Sequence, residues 1–168
     1  GRDVQVSHGL AETLKQFESE PPELIEAVRD YLHSLPYHLI FDDGNLLVAH
    51  AGLKAELHGR VSDRVRAFAL FGETTGEVDE FGLPIRGNWW GDYAGKPYVV
   101  YGHTPIREAV WINRCLCIDT ACVFGGNLTA LRYPEMELVS VPARQIYAES
   151  KRPLALNLLE PPPAPKKE

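Results

Sequence analysis

The sequence predicts a mixed α/β fold on two observations. Apolar residues recur at helical spacing through the first 35 residues, whereas beyond Tyr37 short apolar runs alternate with turn residues, the pattern of strands. With 168 residues the chain can form one core, burying roughly 70% of the surface its unfolded form would expose. A hydrophobic content of 45% and a charged content of 24% exclude wholesale disorder and a fibrous repeat.

Ser7 stands where a helix cap would precede Leu10, Leu14 and Phe17. Pro22 suits the first turn of a second helix that carries Leu24, Ile25, Val28, Tyr31, Leu32 and Leu35. Residues 37–41, the turn Asp42-Asp43-Gly44-Asn45 and residues 46–49 predict a hairpin. Ser62 is placed to cap a short helix over 62–71. Residues 72–96 are Gly-punctuated and read as an irregular, ordered stretch whose Phe81, Trp89, Trp90 and Tyr93 either line a cleft or pack onto the domain. Strands are expected again over 98–101, 109–112, 116–118, 128–132 and 137–141. The expected division is a folded part over 1–143 and a Pro-rich linker over 144–168, with no internal repeat.

Lys and Arg number 17 against 23 Asp and Glu, a net charge of −6, so any contact with a polyanion needs a local basic site. The longest apolar runs fall far short of the roughly 20 residues that span a bilayer, and no membrane partner is expected. Cys115, Cys117 and Cys122 are an odd number crowded together; buried, reduced thiols in a cytoplasmic protein are a better expectation than a disulfide framework or three zinc thiolates.

Three apolar runs end in a polar residue where a strand should give way to a loop: 46–49 at His50, 98–101 and Gly102 at His103, and 116–118 at Asp119. Ligand sites of sheet proteins gather beyond strand ends. Two neutral imidazoles and a carboxylate suit Mn²⁺, Zn²⁺ or Fe²⁺, and a cation-bound water is a strong nucleophile. The alternative is two histidines satisfied by backbone bonds and an aspartate capping a turn. His8, His33, His38 and His58 end no apolar run and read as surface or packing residues. Arg66 and Arg86 are weighed as phosphate contacts and left outside the candidate site, because solvated arginines are commoner.

Leu46-Leu47-Val48-Ala49-His50-Ala51-Gly52-Leu53 resembles the fourth conserved block of calcineurin-like metallophosphoesterases, and Val99-Val100-Tyr101-Gly102-His103-Thr104-Pro105 resembles the fifth. Stretches 64–70, 74–84 and 117–134 make the chain similar, almost through Arg144, to the phosphatase module of bacterial polynucleotide kinase-phosphatase. The family's three earlier blocks, Asp-x-His, Gly-Asp-x-x-Asp and Gly-Asn-His, are absent from the sequence. The resemblance therefore implies the C-terminal half of a two-sheet α/β (α+β) sandwich with flanking helices, without its N-terminal metal-binding half.

It further implies His50 and His103 as ligands of one metal of a binuclear pair, Mn being expected with Ni, Fe or Zn as alternatives, and Asp119 as an active-site carboxylate. The implied activity is hydrolysis of phosphomonoesters and 2′,3′-cyclic phosphates at RNA ends, with little turnover by this chain alone. Implied partners are phosphorylated RNA ends, kinase and adenylyltransferase modules of the same parent chain, an RNA-end methyltransferase and a second copy as homodimer. The alternatives are a protein Ser/Thr phosphatase or dinucleoside-tetraphosphatase of the same fold, and a non-catalytic degenerate module. A half sandwich should also leave edge strands and an apolar face open.

Overall fold

The computed structural model describes residue 6 and residues 9–159. The expected Ser7 cap, His8 and the end of the expected linker, residues 160–168, lie outside the described residues. The chain divides into two compact units, Gly1–Pro36 and Tyr37–Glu168.

In the first unit, α1 (Leu10–Phe17) starts from Gly9, whose positive φ turns the chain and whose carbonyl accepts the Thr13 N–H at 3.1 Å and the Thr13 hydroxyl at 3.0 Å. Helix α2 (Pro22–Ser34) has its proline in the first turn, where a missing N–H costs nothing. Neither helix buries a residue.

The second unit is built on a five-stranded sheet. Strands β1 (His38–Phe41) and β2 (Leu46–Ala49) form the expected hairpin, in register from His38 opposite Ala49 to Phe41 opposite Leu46. Asp42 and Asp43 take positive φ in its tight turn. The order is β1-β2-β5-β7-β6, with β5 (Tyr98–Tyr101), β6 (Trp111–Ile112) and β7 (Cys115–Cys117). The central strands β2, β5 and β7 run parallel, and the outer pairs are antiparallel. Parallel strands covered on both faces read as continuous apolar runs, and here Leu47, Val99 and Leu116 are fully buried, each contributing about 1.5–3 kcal/mol.

Helix α3 (Asp63–Phe71) is capped as expected, the Ser62 Oγ accepting the Val65 N–H at 3.2 Å, and it buries Val65 and Ala69 one turn apart. Its Ala69 carbonyl accepts the Ala51 N–H at 2.7 Å, which pins the loop after β2 to the end of the helix. Trp89 is the hub of the core: Tyr101, Phe68, Trp90 and Tyr93 surround its ring with centroids 5.1–6.1 Å away. Burial pushes the Cys115 and Cys117 thiols up to about 12, so both are protonated packing groups rather than thiolate ligands.

The mixed α/β class is the one the sequence predicts, but two local expectations change. The stretch 72–96 is not wholly irregular: β3 (Thr74–Val78) and β4 (Pro84–Arg86) form a two-stranded antiparallel ribbon. Strand β3 buries none of its residues, so it lacks the apolar alternation that would reveal it. The strand expected over 109–112 shrinks to Trp111–Ile112, and the Arg107 and Glu108 N–H groups just before it donate to carbonyls of Ala155 and Leu156. A last hairpin, β8 (Asn127–Arg132) with β9 (Glu137–Pro142), is tied to the loop after β7 by a chain of hydroxyls, Thr120 to Thr129 at 2.6 Å and Thr129 to Ser140 at 2.7 Å. Leu128, Val139 and Val141 of this hairpin are exposed. Residues 144–159 return along the unit, Tyr147 N–H donating to Val123 and Ile106 bridging Ala155. Among the described residues no helix is long and apolar enough to cross a membrane.

Gly52 has φ +88, and a Cβ there would overlap the Trp89 ring. Gly52→Ala is expected to destabilise the chain by about 2 kcal/mol or more, combining left-handed strain with overpacking. A denaturation midpoint equal to the parent's would contradict this.

Candidate functional site

Because β2, β5 and β7 are adjacent and parallel, the residues that follow them emerge at one edge of the sheet. His50 follows β2, Gly102 and His103 follow β5, and Asp119 lies two residues beyond β7. Backbone bonds continue past the strands: Gly102 N–H donates to His50 carbonyl at 2.8 Å, Ile118 N–H to Tyr101 carbonyl at 2.8 Å, and Ile106 N–H to Asp119 carbonyl at 3.0 Å. Gly102 lies against Asp119: a Cβ there would sit 3.4 Å from the Asp119 Cβ, an ordinary packing contact between the β5 and β7 ends. His103 itself has φ +68, an uncommon conformation for a side-chain-bearing residue and one that recurs at functional sites.

The two histidines meet. His50 Nε2 lies 2.9 Å from His103 Nδ1, with the rings edge to face and centroids 4.7 Å apart. Asp119 leaves the sheet at the same edge, but its Oδ1 accepts the Ala121 N–H at 3.3 Å in a turn. Among the described residues no group of three His, Cys, Asp or Glu side chains gathers as a cation-binding set. An unprotonated imidazole nitrogen is a ligand of the type that holds first-row divalent ions, and two imidazoles on one such ion stand about 3–3.5 Å apart. The pair therefore fits as two ligands of a larger set.

Arg86, at the end of β4, was not among the candidate residues and belongs here. Its Nη2 donates to His103 Nε2 at 3.0 Å, and its Nη1 donates to the Phe71 carbonyl. A guanidinium only donates, so His103 Nε2 carries the lone pair, and the ring proton sits on Nδ1, facing His50. Burial first, then Arg86, then His50 lower the His103 pKa from 6.5 to about 4. For His50 Nε2 and His103 Nδ1 to face one cation together, that proton must move to Nε2 and Arg86 must release the ring. Arg66, the other arginine weighed, instead lies 5.9 Å from the Tyr37 ring. Among the remaining histidines, His58 bonds the Leu53 carbonyl at 3.2 Å, His38 Nε2 accepts the Gly59 N–H at 3.1 Å, and His33 is exposed.

No family model matches the chain. It is 46% identical over 158 residues to the bis(5′-nucleosyl)-tetraphosphatase PrpE [asymmetrical] of Anoxybacillus flavithermus, covering 91% of this chain and 64% of that protein. The chain resembles tetraphosphatases. The relative of the same description from Geobacillus thermodenitrificans is 43% identical over 155 residues, covering 90% of this chain and 63% of its own length. The chain thus spans a little under two thirds of the length of these relatives. The crystal structure of "a putative diadenosine tetraphosphatase" matches 80% of this chain and 62% of its own with a TM-score of 0.52 at 24% identity, which shows the shared fold.

Because the folded pKa of His103 lies below 6.5, the unfolded chain takes up its proton first as pH falls. The stability its neutral ring contributes is complete above pH 6.5 and is lost as pH drops towards 4. NMR titration of the ring should show an inflection near 4, moving upward in Arg86→Met; an inflection near 6.5 in the parent chain would contradict the assignment.

Proposed function

We propose that this chain supplies two histidine ligands of a metallophosphoesterase-type site that hydrolyses phosphoric esters and anhydrides, with dinucleoside tetraphosphates as substrate class. The observation that carries this reading is the His50–His103 pair, held at the ends of neighbouring parallel strands in a chain 46% identical to a tetraphosphatase. The relatives favour the dinucleoside-tetraphosphatase alternative over RNA-end healing, which the motif resemblance alone had put first. The RNA ends, the kinase and adenylyltransferase modules and the methyltransferase belong to the RNA-end alternative.

In the proposed site His50 Nε2 and His103 Nδ1 hold a divalent cation, Mn by expectation, and further ligands complete a binuclear pair. When bound, the cations polarise phosphoryl oxygens and activate a water. The chain's own part is to keep His103 neutral and oriented. Arg86, once released from His103 Nε2, presents a planar fork of donors to a phosphoryl oxygen. Asp119, fixed in its turn at the same edge, is proposed as the adjacent carboxylate.

The test joins this chain to the part of the Anoxybacillus relative that lies outside the matched residues. The product is assayed with Mn²⁺ on diadenosine tetraphosphate, RNA bearing a 2′,3′-cyclic phosphate, and a phosphoserine peptide. Diadenosine tetraphosphate should be hydrolysed fastest, and His103→Ala should reduce the rate by at least about 100-fold, the upper end of what loss of a supporting residue costs. Preference for the RNA end would restore the first reading. No metal-dependent hydrolysis of any of the three would leave the non-catalytic module.

A further inference from the structure

Arg86 reaches the histidine pair from a cavity of about 340 Å³ on its other side, a size within the range of small-molecule sites. Arg86, Arg152, Asp79, Trp90, Pro105 and Leu158 are among the residues lining it. Asp79 is the cavity's one carboxylate, against two guanidiniums. Its Oδ2 pairs with Arg152 at 3.2 Å, and its Oδ1 accepts the Phe81 and Leu83 N–H groups at 2.9 and 2.8 Å. The paired Arg152 and Asp79 side chains are only 22% and 20% exposed, and the charge left over is that of half-buried Arg86. This is a local basic site in a chain of net charge −6.

The remaining wall is mostly apolar, and the segment after β9 closes it. Glu108 N–H donates to the Leu156 carbonyl at 2.8 Å, and the Asn157 side chain, itself buried, accepts the Leu159 N–H at 2.9 Å. The wall that carries Arg152 and Leu158 is thus bonded in place. A polyphosphate chain starting at the histidine pair would pass Arg86 and then meet Arg152, and a nucleoside at its end would lie against Trp90, Pro105 and Leu158.

We propose that this cavity binds the nucleoside-polyphosphate arm of the substrate that extends away from the histidine pair, with Arg152 a specificity-determining residue. The inference rests on the function proposed above and names the part of the site that separates a nucleoside polyphosphate from a simple phosphate ester. Guanidiniums give charge-assisted bonds to phosphoryl oxygens, and the apolar wall adds discrimination by the nucleoside.

The test is binding of ATP to the 168-residue chain in EDTA at low salt, followed by calorimetry and by NMR of the tryptophan indole N–H signals. ATP should bind, with AMP and inorganic tripolyphosphate each about tenfold weaker, and Arg152→Gln should weaken ATP about tenfold. On the unsubstituted chain, ATP should shift the Trp90 indole signal and leave that of Trp111 unmoved. ATP that fails to bind, ATP affinity unchanged in Arg152→Gln, an unmoved Trp90 signal, or tripolyphosphate binding as tightly as ATP would each overturn the nucleoside subsite. Hydrolysis of diadenosine tetraphosphate without ATP binding to the cavity would remove the subsite alone. ATP binding without such hydrolysis would remove the proposed function alone.

Discussion

A single backbone bond, Gly102 N–H to the His50 carbonyl at 2.8 Å, carries the pairing of β2 and β5 beyond their last residues and brings the two histidines to one edge of the sheet. It forms because both strands run parallel and in register, Leu46 opposite Tyr98 through Val48 opposite Val100. That register is set by apolar residues buried on both faces. A one-residue slip would turn every side chain to the opposite face of the sheet and separate the imidazoles.

Electrostatics around this edge run against the chain's overall balance. The protein is acidic, yet its functional edge gathers Arg86 and Arg152 around one carboxylate, with Arg86 shared between a cavity and an imidazole. A guanidinium cannot give up its proton, so it dictates the tautomer of its partner ring; burial first and Arg86 second keep His103 neutral, with the proton aimed at His50. The arrangement links two events. In the proposed site, freeing His103 Nε2 would prepare the ring to face a cation and at the same time free a guanidinium for an anion.

Much of this was legible in the sequence because it rests on local rules. The hairpin of β1 and β2 announced itself by Asp42-Asp43-Gly44-Asn45 between apolar runs, the cap of α3 by Ser62, and the strand ends by His50, His103 and Asp119 standing just past apolar segments. What stayed hidden depends on contacts distant in sequence. Strand β3 is exposed on all its residues and leaves no pattern. Arg86 looks like any solvated arginine until β4 carries it to His103, 17 residues away in sequence. Arg152 lies in a stretch whose composition reads as linker, and its place beside Asp79 follows from the bridge between Ile106 and Ala155. The aromatics of 72–96 illustrate both expectations at once, since Trp90 is core and cavity wall together.

The most direct test of the histidine pair is titration of the chain with Mn²⁺ while the ring signals of its histidines are followed by NMR. A paramagnetic ion held between His50 Nε2 and His103 Nδ1 should broaden those two ring signals first, at concentrations that leave His33 and His58 sharp. Uniform broadening of all the histidines, or loss of His33 or His58 before the pair, would mean that the two imidazoles are not a cation site.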